Sequence, residues 1–250
     1  MKEVILNGKK VRLYDSIDEL PIVRFHKYNR MLLIDAGIGS DISDFDAHIE
    51  KVVRWIRKGD NENAAKEMEN MRQNIYMVMS EQSVRHLSFA CLVESIDGKV
   101  CDDLSPDGLE AVLKQLGGTA KKDITTESSE VKKKIDDELS LYFPSLFDDV
   151  RTREYYDLLK RLTLARIGEI TGEGTEERTK AIEEQMVLYA KPKTFTGRDG
   201  LEVKHDKDFE SMCILITKET GREAKKMTVL EYYNAYEWVV KQHKAQNKAR

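Results

Sequence analysis

The chain has 250 residues, 40% hydrophobic and 34% charged, which is enough for a packed core and fits one large domain or two small ones. A formal net charge of −4 argues against a general nucleic-acid binder but leaves room for a local basic face. Cys91, Cys101 and Cys213 form no CxxC pair, which speaks against a disulfide framework and a zinc site. No apolar run approaches the roughly 20 residues of a membrane span. The N-terminus "MKEVILNGKK" lacks a signal-peptide pattern, so a cytosolic chain is expected.

"EVILNGKKVRLY" carries the one convincing β signal, with Asn7-Gly8 between apolar β-formers predicting a hairpin over 3–14. From there the pattern is helical. Ser16 and Glu19 form a capping box ahead of a helix over 20–36, with Ile22, Phe25, Tyr28, Leu32 and Ala36 on one side. Gly37 suits the left-handed position past its end. Ser43 reads as the next N-cap, with Asp44 and Asp46 in the first turn and Phe45, Ile49, Val52, Val53 and Ile56 on one apolar face up to Gly59.

A long helix follows from Asn61 to about 82, with Ala65, Met68, Met71, Ile75 and Met79 as its stripe. Residues 84–95 are apolar nearly all round, as in a buried helix, and Asp97-Gly98 makes a turn. "LSPDGLEAVLKQLGG" specifies a helix completely: Ser105 as N-cap, Pro106 at its first position, Leu109, Val112, Leu113 and Leu116 inward, and Gly117 at the end. Residues 118–128 read as a linker between a unit over 1–117, hairpin plus helices, and a helical unit over 129–250. Helices are predicted at about 128–142, 148–171, 175–190, 207–219 and 229–246, the last opened by a Thr228–Glu231 capping box, with an ordered loop over 191–206. The expected fold class is mainly α, a multi-helix bundle with a short N-terminal β-hairpin.

"MLLIDAGIGSDISDF" raises the question of a phosphate loop. A dinucleotide loop needs GxGxxG after a strand, and a P-loop needs GK[ST]. Gly37 and Gly39 are followed by Ser40 and Asp41, and Asp41, Asp44 and Asp46 would repel a phosphate. The stretch reads as a joint between two helices. His26, His48, His86, His205 and His243 form no i,i+4 pair and read as surface or boundary residues. Asp44, Asp46 and His48 lack the mid-loop glycine of a calcium site. No catalytic, cofactor-binding or metal-ligating residue is assigned, so the expectation is a protein that is not an enzyme and has no cofactor.

Two surface features stand out. Lys132, Lys133 and Lys134, with the basic end "KQHKAQNKAR", form either a solvated helix face or a contact for an acidic partner, protein or DNA phosphate. Tyr232, Tyr233, Tyr236 and Trp238 cannot share one narrow stripe, and "NMRQNIYMVMSEQ" is rich in Met. Both helices suggest a protein–protein interface, and the first four residues are the candidate contacts.

The segments "DELPIVRFHKYNRMLLIDAGIGSDISDFDAHIEKVVRWI", "NMRQNIYMVMSEQSVRHLSFACLVESIDGK", "DELSLYFPSLF" and "MTVLEYYNAYEWVVKQHK" resemble a protein of crAss-like bacteriophages. The resemblance spans most of the chain with gaps and contains no catalytic motif. It implies a virion structure or assembly protein, such as a neck or tail ring component, in the particle and in the host cytoplasm during assembly. Its implied partners are further copies of itself and portal, neck or tail proteins; no membrane is expected, and a DNA contact is left open but is not expected to be specific. A tail-assembly chaperone absent from the mature particle is the first alternative. A DNA-associated helical protein and an unrecognised enzyme follow.

Overall fold

The computed structural model describes residues 1–39, 42–79, 83–117, 121–146, 150–172, 174–189, 193–195 and 200–248. Ten α-helices and four short strands lie among them, so the fold is mainly α with a small N-terminal sheet.

Strands β1 (Lys2–Leu6) and β2 (Lys9–Leu13) form the expected hairpin. Asn7 and Gly8 have φ of 49° and 75°, the pair of positive angles that a type I′ turn requires. A second hairpin was not foreseen. Helix α1 is Ile22–Gly37, and the apolar run beyond Ser83 divides into α4 (Val84–Leu92) and β3 (Val93–Ile96) with no loop between them. Asp97-Gly98 repeats the positive-φ turn and leads into β4 (Lys99–Val100). The sheet order is β1-β2-β3-β4, antiparallel throughout. An apolar run of this length fits helix or strand equally, and pairing with β2 decides for strand after Leu92.

Buried Arg24 joins this sheet to α1. Its guanidinium donates to the carbonyls of Cys91 (3.2 Å), Val93 (3.0 Å) and Cys101, where α4 passes into the second hairpin. Ser16 and Glu19 do not cap α1. The Ser16 hydroxyl and the Ile17 N–H instead donate to Glu138 Oε2 at 2.8 and 2.9 Å, on α6 (Lys121–Tyr142). The helix opens after Pro21, and the Ile22 N–H is satisfied by the Met227 carbonyl at 3.0 Å. A tertiary partner has replaced a local cap.

The main core draws on β2 (Val11, Leu13), α1 (Phe25, Tyr28), α4 (Phe89, Leu92) and α6 (Val131, Ile135). It also includes Leu109 and Leu116 of α5 (Pro106–Leu116), Ile216 of α9 (Leu201–Thr220) and Val239 of α10 (Val229–Lys248). Residues on both sides of 118–128 therefore pack together, and 121–128 form the start of α6; 118–120 lie outside the described residues. Helix α5 follows its sequence closely: the Ser105 hydroxyl accepts from the Gly108 N–H at 3.1 Å, and Gly117 has φ of 78°. Helix α9 starts at Leu201, so the second part of the stretch read as a loop is helical.

Two helical hairpins lie beside this core. One is α2 (Ile42–Arg57) with α3 (Asn61–Met79), and the other α7 (Val150–Thr171) with α8 (Glu176–Tyr189). Gly37 is the last residue of α1, and the positive φ belongs to Gly39, at 72°. Gly37 is needed for another reason: a Cβ there would run into the Phe195 ring. Helix α2 begins at Ile42, which puts Ser43 inside the helix rather than at its cap; its side chain lies outside the described residues. The Gly-Ile-Gly stretch thus ends a helix and follows no strand, as a helix joint should.

Candidate interaction surface

Helix α10 starts with the expected capping box. The Thr228 N–H donates to Glu231 Oε2 at 3.1 Å, and the Glu231 N–H donates to Thr228 Oγ1 at 3.3 Å. The four candidate contacts on this helix then diverge. Tyr232 is buried, and burial raises its phenol pKa above the usual range. Tyr233 is partly buried against the core, its ring edge-on to Phe25 at 6.4 Å and 5.5 Å from Phe143. Tyr236 is half-buried, whereas Trp238 is 46% exposed. The 3.6-residue period separates Tyr236 and Trp238 by about 200° around the axis, so one flat surface cannot take both.

Tyr232, Tyr233 and Tyr236 line a cleft of about 240 Å³ between α1, α9 and α10. Phe25, His26, Asp208 and Phe209 complete its chemistry. On its α1–α9 side three rings stack nearly parallel: His26 lies 4.4 Å from His205 and 4.0 Å from Phe209. His26 Nε2 is 2.9 Å from Asp206 Oδ1, while Arg30 donates to Glu202 at 2.6 Å. Desolvation pulls the His26 pKa below its ordinary value, against the opposing pull of Asp206. The Nε2 atom of His205 is buried with no hydrogen-bond partner, and Asp208 makes no ion pair among the described residues. Nothing local in the sequence marked His26 and His205, because only the packing of α1 on α9 brings them together. His26 was read as a surface or boundary residue, and it is buried.

The lysine run is less available than its sequence suggests. Lys132 pairs with Asp136 one turn away, and Lys134 reaches Asp15 at 2.6 Å, which raises its pKa; Lys133 is exposed. At the basic end of α10, Lys241 is 3.3 Å from Glu237, and exposed Lys244 has no partner among the described residues.

The largest departure from expectation is the α2–α3 hairpin. Its inward side is polar: His48, Glu67, Asn70 and Asn74 are all buried. His48 Nδ1 is 2.6 Å from Glu67 Oε1, and its Nε2 is 2.8 Å from the Ile38 carbonyl, which also accepts from Asn74 at 3.2 Å. Asn70 donates to the Lys193 carbonyl at 3.2 Å. Ile49, Val53 and Ile56 of α2, read as core-facing, are exposed, as are Met68, Ile75 and Met79 of α3. Trp55 and Ala64 are the buried apolar pair of this hairpin. Helix α7 also exposes Leu164, Ile167 and Ile170.

Among the described residues no group of three or more His, Cys, Asp or Glu side chains could hold a metal ion. No described helix is long and apolar enough to cross a membrane. No family model, curated protein or solved structure matches the chain.

Proposed function

We propose that the chain is a non-enzymatic structural protein of a tailed-bacteriophage particle, a neck or tail ring component. It acts through homo-oligomerisation and contacts with neighbouring portal, neck or tail proteins. The observation that carries this reading is the inverted α2–α3 hairpin, which buries hydrogen-bonded polar groups and turns Ile49, Val53, Ile56, Met68, Ile75 and Met79 outward. Exposed apolar side chains in such numbers on paired helices favour coverage by another protein surface. The exposed stripe of α7 adds a second face elsewhere on the chain. A closed ring needs two different patches per subunit, each meeting the other on a neighbour. The four segments that resemble crAss-like phage protein supply the phage context.

The same outward stripes favour a second reading, a tail-assembly chaperone that covers apolar surface on a partner and then leaves. Quantitative peptide mass spectrometry of purified particles against infected-cell lysate separates the two. The ring reading expects a fixed copy number of roughly a dozen per particle. Abundance in lysate with none in particles would replace it with the chaperone.

A further inference from the structure

We infer that the aromatic cleft between α1, α9 and α10 receives the basic C-terminal end of α10 from a second copy of the chain, with a lysine ammonium as the anchored group. The inference rests on the oligomeric reading above and assigns it a contact.

The cleft has the chemistry of a cation site. Phe25, Phe209, Tyr232, Tyr233 and Tyr236 surround it with rings, whose π faces attract an ammonium within about 6 Å of a centroid. Asp208 contributes the carboxylate. The nearby Asp206 and Glu202 are engaged by Arg30 and His26, so Asp208 is the lining carboxylate left without a counter-ion among the described residues. The His26 imidazole does not oppose a cation, because its burial against His205 and Phe209 disfavours the protonated form. Small volume also matters: about 240 Å³ suits one extended side chain, and a whole helix would not enter.

The donor lies on the same helix as the acceptor and cannot reach it. Helix α10 runs unbroken from Val229 to Lys248. Lys244 is about 12 Å farther along the axis than Tyr236 at 1.5 Å per residue, and a continuous helix does not fold back on itself. Lys241 already has Glu237 beside it at 3.3 Å, so Lys244 is the ammonium for which a cleft on another molecule is the available acceptor. A second copy presents cleft and basic end in equal numbers, at the concentration of the chain itself. Because the two patches differ, the contact is head-to-tail, and it closes a ring when the rotation per subunit divides a full turn.

The test is sedimentation velocity of the full chain over a concentration series, with two surface variants checked for folding by circular dichroism. Lys241→Gln with Lys244→Gln removes the donor, and Asp208→Lys blocks the acceptor. The wild type is expected to form species larger than a dimer, and each variant alone to associate at least tenfold more weakly. An equimolar mixture should recover dimers and stop there, since one intact donor then meets one intact acceptor. Unchanged association in either variant, or a mixture no larger than its components, overturns the cleft contact and leaves the ring reading to the apolar stripes. A wild type that stays monomeric at every concentration overturns the contact as well, and the particle copy number then decides the ring reading separately.

Discussion

The sheet side of the molecule and the α2–α3 hairpin solve burial in opposite ways. Around the sheet, apolar side chains from β2, α1, α4, α5, α6, α9 and α10 close on one another, and the buried charge of Arg24 is tied to three backbone carbonyls. In the hairpin, four polar side chains share the inward positions with Trp55 and Ala64 while isoleucines, valine and methionines face out. Burial of an apolar side chain is worth about 1.5–3 kcal/mol, whereas a buried hydrogen bond nets only about 0.5–1.5 kcal/mol. The sheet side therefore holds itself together, and the hairpin leaves much of its apolar surface exposed.

That contrast can be broken experimentally. The largest effect is expected at Phe89, fully buried in the main core: Phe89→Ala should cost about 3–5 kcal/mol in urea unfolding, with lost packing and a residual cavity both contributing. A loss under about 1 kcal/mol would mean the core tolerates cavities far better than close packing allows. Glu67→Ala, which leaves His48 Nδ1 without its partner in a buried site, should cost about 1–3 kcal/mol. Hydrogen exchange should place that loss in α2 and α3 and leave the sheet protected. Global loosening instead would join the two regions into one cooperative unit.

Acid should act more weakly, through His26. Its folded pKa lies below the ordinary 6.5, so the unfolded chain takes up the proton first. The stability due to the neutral ring is complete above about pH 6.5 and is lost as pH falls from there through the lower folded value. The melting temperature should drop on acidification across that window, and His26→Asn should flatten the response. An unchanged slope in the variant would assign the acid sensitivity to other groups. The smallest folding effect belongs to Met68→Ser with Met79→Ser on the outward stripe. Stability should stay within about 0.5 kcal/mol per site while self-association in sedimentation falls. A large loss of stability would show that the stripe is part of the fold rather than a surface for a partner.

Elements whose signals are local were legible from the chain alone. Asn7-Gly8, the Ser105-Pro106 start with the Gly117 stop, and the Thr228–Glu231 box each act within one turn, and each is where the sequence predicts it. The four residues read as contacts do not share one environment: Trp238 is exposed, Tyr233 and Tyr236 are half-buried at the cleft, and Tyr232 lines the same cleft while buried.

What the sequence determined by itself was the helical class, the first hairpin, several helix ends and the place of Gly37 at the end of a helix rather than after a strand. Tertiary structure alone decided the strand after Leu92, because hydrogen bonding to β2 chooses between helix and strand in a run apolar on every side. It also decided that α1 starts on the Met227 carbonyl, that His26 meets His205, and which face of α3 turns inward. Periodicity identifies an apolar stripe but not what covers it. In α3 the stripe was real, and the His48–Glu67 pair together with the Ile38 and Lys193 carbonyls drew the opposite face to the inside.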